Sequence, residues 1–85
     1  MSKNPRRELR AVLKFLANAR DPLDRVKAAD LVKESAVEVL DVELLQALEA
    51  GHTQQAIAAR LGISQGAVSQ RVQVARKRQS RRAVT

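Results

Sequence analysis

The chain has no cysteine, tryptophan or tyrosine, and Phe15 is the only aromatic residue among 85. Without cysteine no disulfide can staple the fold and no thiolate can hold a metal. A single histidine, His52, leaves neither a Cys–His pair nor a histidine-rich metal cluster. Ser2, Ser35, Ser69 and Ser80 have no flanking glycines, and although Gly62 and Gly66 flank Ser64, no strand pattern precedes it as a nucleophile elbow requires. We therefore expect no enzyme, no catalytic residue, no metal and no cofactor. Sheets that bind RNA or single strands stack bases on exposed rings, so that class is disfavoured too. No apolar run approaches the eighteen residues a membrane span needs, and no signal-peptide core follows Met1. A soluble, cytoplasmic protein with no membrane partner is the expectation.

Acidic residues are missing from one region altogether. Residues 51–85 hold seven Lys or Arg and no Asp or Glu, a net +7. Residues 1–20 hold six bases and one acid, net +5, and residues 21–50 hold three bases and eight acids, net −5. A wholly basic final third suggests a polyanionic partner, and the acidic centre argues against a chain that is merely sticky everywhere. Nucleic acid is the first expectation, with a nucleoid-associated location. At 9.4 kDa the chain makes one small domain, and a core of that size hides only about 60% of the unfolded surface.

Glycine and proline are scarce as well, at three and two, and no alternating strand pattern appears. The periodicity is helical throughout, which predicts an all-α bundle of about five helices. Asn4-Pro5 opens the first helix, with Asn as N-cap and Pro at the first helical position. Leu9, Val12, Leu13 and Leu16 then form one apolar stripe. Phe15 lies off it, as a second contact or a partner anchor. Asp21-Pro22 repeats the start signal. From Pro22 to Ala50 no Gly or Pro intervenes, long for one globular helix, so a break is expected between 33 and 41. Ser35 to Glu38 fits a capping box and Asp41 is a rival cap. Gly51 suits a helix-closing left-handed turn. Thr53 caps a short helix through Leu61, and Ser64 caps the last one after Gly62-Ile63. From Arg76 apolar periodicity is lost, so 76–85 should fray into a flexible basic tail.

The informative window is Gln54 to Val72. Ile57, Leu61, Ile63, Val68 and Val72 supply apolar contacts for two short helices crossing steeply. Ala58 is small where they approach, and Gly62 provides the tight connection. This window resembles the helix-turn-helix of bacterial and phage DNA-binding regulators of the Cro/repressor kind. The approach Leu44-Leu45 through Thr53 is also similar to quorum-sensing regulators and to sigma-factor region four. The likeness covers 37–75, leaving 1–36 as N-terminal helices with no family match.

The resemblance implies double-stranded DNA as partner, with a recognition helix of about 65–78 in the major groove. Ser64, Gln65, Gly66, Ser69 and Gln70 are the expected base readers, since Val68 and Val72 face inward and Gln pairs bidentately with adenine. Thr53, Gln54, Arg71, Arg76, Lys77 and Arg78 are the expected phosphate contacts. Leu9, Val12, Leu13, Phe15 and Leu16 either form a homodimer interface or complete the monomer's own core. The expected function is a small transcriptional regulator, a repressor because no sensor or activation domain is visible. Two other readings stay open: a low-specificity architectural or plasmid/phage maintenance DNA-binding protein, and an RNA polymerase-interacting adaptor.

Overall fold

The computed structural model describes residues 4–84, and the described residues form four helices and no strand. They are α1 (Pro5–Asn18), α2 (Pro22–Glu49), α3 (Gln54–Leu61) and α4 (Gln65–Val84). The chain divides between Leu40 and Asp41 into two units, and α2 contributes to both.

Within the first unit the start signals act as their chemistry requires. The Asn4 side chain accepts from the backbone N–H groups of Arg6 and Arg7 at 3.1 and 3.2 Å, satisfying two donors that no helical carbonyl can reach. Asp21 does the same for Leu23 at 2.8 Å. Burial is sparse. No residue of α1 is buried: Leu9, Val12 and Leu16 are half-buried, while Leu13 and Phe15 are exposed. On the N-terminal half of α2, Ala28 is buried, but Leu23 and Val26 are 79% and 69% exposed.

The expected break between 33 and 41 does not occur, so the helix count is four rather than about five. The helix α2 runs unbroken for 28 residues, about 42 Å at 1.5 Å per residue. Every residue in it can hold helical dihedrals, and after Pro22 at its first position no Gly or Pro interrupts it. Ser35 is a half-buried interior residue instead of a cap. Asp41 is no cap either, because its carboxylate is engaged by a side chain of α4.

The second unit closes α2 with a glycine. Gly51 sits at φ 101°, its N–H donates to the Leu48 carbonyl, and the His52 N–H donates to the Ala47 carbonyl. This crossed pair satisfies the last carbonyls of α2. The core that follows is Ala58, Val68 and Val72, with Leu45, Leu48, Ile57 and Ile63 packed against it. Leu44 and Ala75 are buried as well. Each buried valine contributes on the order of 1.5–3 kcal/mol relative to exposure. Leu61 departs from expectation, being 44% exposed. Its spacing matches the apolar face, but it is the last residue of α3 and no further turn covers it.

Candidate nucleic-acid interface

Two caps and one left-handed glycine set the geometry of α3 and α4. Thr53 Oγ1 accepts from the Ala56 N–H at 3.0 Å and Ser64 Oγ accepts from the Ala67 N–H at 3.1 Å. Between the helices, Gly62 lies at φ 70°, ψ 33°, a region that penalises any residue with a Cβ. Its N–H and that of Ile63 both donate to the Ala58 carbonyl. The helix therefore stops within one residue and the chain re-enters α4 two residues later. So short a connection brings Ala58 into one buried cluster with Val68 and Val72.

Burying Val68, Val72 and Ala75 fixes which side of α4 faces out. Gln65, Gly66 and Gln70 are exposed, as the sequence predicts. Ser64 is exposed too, but its hydroxyl is committed to capping. Ser69 is half-buried and stands at the edge of the outer face. Gln73, also exposed, was missed by the sequence reading. It lies three residues past Gln70 and four past Ser69, so helical spacing alone places it beside them. Gly66 answers no steric demand: a Cβ there would meet only Ser64 Oγ at 4.0 Å.

Of the expected phosphate contacts, Thr53, Arg71, Arg76 and Lys77 are exposed and Gln54 is half-buried. Arg78 differs from them in being held by a carboxylate. Its Nε donates to Asp41 Oδ2 at 2.7 Å and its Nη2 to Oδ1 at 2.9 Å, a bidentate pair joining a half-exposed guanidinium to a buried carboxylate. Those hydrogen bonds hold the guanidinium above its already high ordinary pKa. Partial desolvation opposes the shift and the attraction of Asp41 adds to it. While the carboxylate is ionised, that stabilisation is present below the alkaline range and lost as pH rises through the raised value. Over the expected basic tail α4 stays helical to Val84, and Gln79 is partly buried. Thr85 of that tail lies outside the described residues.

An exposed polar helix face on a capped, tightly turned helix pair, with no acid after Glu49, is a surface suited to a phosphate-lined groove. Residues 42–78 match sigma-70, region 4. The match starts in the last turns of α2 and ends on Arg78, taking in α3, the Gly62 turn and most of α4. No curated protein and no solved structure shows significant similarity to the chain. The region 4 match, over less than half of the chain, supports a helix-turn-helix DNA-binding fold for 42–78. The resemblance to sigma-factor region four is thus supported, while the likenesses to repressors and quorum-sensing regulators rest on the motif. No helix among the described residues is long and apolar enough to cross a membrane.

Proposed function

We propose that the protein binds double-stranded DNA sequence-specifically, as a homodimeric transcriptional regulator that acts as a repressor. The observation that carries this reading is the outer face of α4, where Gln65, Gly66 and Gln70 stand exposed opposite buried Val68, Val72 and Ala75. The N-terminal turns of α4 enter the major groove. Gln65 and Gln70 read base edges, with Ser69 and Gln73 beside them, and Gly66 permits close approach. Ser64 holds the start of α4 in place. Arg71, Arg76 and Lys77 contact phosphates from α4, as do Thr53, Gln54 and the N–H groups at the start of α3.

A single motif reads few base pairs, and a two-fold dimer doubles the footprint. Leu9, Val12, Leu13, Phe15 and Leu16 offer the apolar surface for it, since α1 buries none of them within one chain. Occlusion of a promoter by the bound dimer is sufficient for repression.

Selection of bound sequences from a random DNA pool tests the reading. An enriched inverted repeat, preferred over random DNA by about 10³ or more, is the expected result. An unenriched pool would leave only low-specificity coating of DNA. Sedimentation at micromolar concentration should give a dimer, and a 9.4 kDa species with and without the selected site would remove that part. A second reading is favoured by the region 4 match itself: an adaptor that docks on RNA polymerase. It predicts co-elution with purified polymerase in the absence of DNA.

A further inference from the structure

Small apolar side chains hold α4 in the second unit: Val68, Val72 and Ala75 are almost fully buried. Apolar attraction is non-directional, so contacts between short side chains set the separation of a helix better than its rotation about its own axis. The Asp41–Arg78 pair is directional. Two parallel N–H···O bonds of 2.7 and 2.9 Å require the guanidinium and carboxylate planes to align. Keeping the Asp41 side chain at 2% exposure beneath an Arg78 side chain that is 40% exposed is not the simplest way to stabilise a core, because apolar residues often replace buried charges without loss. The best-attested use of a polar group kept in a core, as Asp41 is, is to specify register.

We infer that Asp41 and Arg78 form a positioning clamp that sets the roll of α4. It thereby sets the orientation in which Gln65, Gly66, Ser69 and Gln70 meet the DNA. Arg78 acts through the helix, eight residues and about 12 Å beyond Gln70 along the axis. A roll of about 20° moves a side-chain tip, about 5–6 Å from that axis, by about 2 Å. That exceeds what a bidentate base contact tolerates, since hydrogen-bond lengths span only a few tenths of an ångström. Both clamp residues belong to the second unit, so the device works within the unit that carries α3 and α4.

The inference rests on the base-reading proposal, and the test separates the two. Arg78→Lys, Arg78→Gln and Asp41→Asn are made in the full chain, and affinity for the selected site and for random DNA is followed against salt concentration. A phosphate ligand at 78 predicts that Arg78→Gln weakens all DNA alike and lowers the salt slope by about one. It also predicts that Asp41→Asn, by freeing the guanidinium, tightens binding. The clamp predicts the reverse pattern. Arg78→Lys and Asp41→Asn each lose about tenfold in preference for the selected site, within what one bidentate base contact discriminates. Random-DNA affinity and the salt slope stay unchanged, and the double variant Asp41→Asn/Arg78→Gln is no worse than the poorer single one. Full preference in Arg78→Lys, or a slope reduced by one in Arg78→Gln, overturns the inference. Wild-type protein with no sequence preference would instead sink the base-reading proposal. The clamp is read without DNA by NMR of the Arg78 side-chain Nε–H. Slow exchange with water, lost in Asp41→Asn, supports it, whereas exchange as fast as that of Arg71 refutes it.

Discussion

Residues up to Leu40 and residues from Asp41 onward use the same helix-starting chemistry and obtain different results from it. Asn4 and Asp21 cap α1 and α2 as well as Thr53 and Ser64 cap α3 and α4. Yet Ala28 is the only buried apolar residue described in the first unit, whereas the second buries Leu44, Ala58, Val68, Val72 and Ala75. Caps decide where a helix begins; they do not supply a core. The second unit gains one because Gly51 and Gly62 turn the chain sharply enough for short helices to face each other. The connection between α1 and α2, Ala19 to Asp21, contains no glycine.

The largest expected effect lies at the centre of the second unit. Val68→Asp would bury an unpaired carboxylate at a cost of several kcal/mol, and the cooperative thermal transition seen by circular dichroism should disappear. Survival of that transition would mean that residues 1–40 carry more of the stability than their burial indicates. A smaller effect concerns recognition. Gln70→Ala should lose about 1–3 kcal/mol on the selected site and relax preference at one base, while Arg10→Ala should leave base preference intact. Competition binding measures both, and a changed preference in Arg10→Ala would extend the reading surface to α1.

The caps allow the comparison to be made with a single kind of bond. Thr53→Ala should cost about 1 kcal/mol of global stability, visible as a lower denaturant midpoint. Asn4→Ala removes equivalent bonds from α1 and should reduce helix content there without moving the main transition. Equal shifts in the two variants would show the units to unfold as one. The smallest stability effect is expected for Phe15→Asp, at 44% exposure, within about 0.5 kcal/mol. The same variant should abolish self-association in sedimentation if α1 forms the dimer surface.

The helix starts at Asn4, Asp21, Thr53 and Ser64 and the turn at Gly62 were legible in the sequence, because each depends on chemistry within three or four residues. So was most of the α3–α4 core: Ile57, Ala58, Ile63, Val68 and Val72 all lie in or against it. The departures from expectation arise at longer range. A capping box at Ser35 is only a local offer, and the surrounding 28 helix-compatible residues declined it. In a run of bases Arg78 looks like Arg76 and Lys77; only its meeting with Asp41, 37 residues earlier, distinguishes it. Leu61 followed the apolar spacing to the point where α3 ends. Gln73 was the avoidable omission, since it is one turn from Ser69.

The persistence of α4 to Val84 has a thermodynamic consequence. Arg76 and Lys77 stand on backbone that is already helical, so engaging phosphate does not require a coil to order, which would cost about 1–2 kcal/mol per residue. Association should then show a modest heat-capacity change, without the signature of folding on binding. Ionic strength, more than temperature, becomes the variable that governs how long the complex lasts.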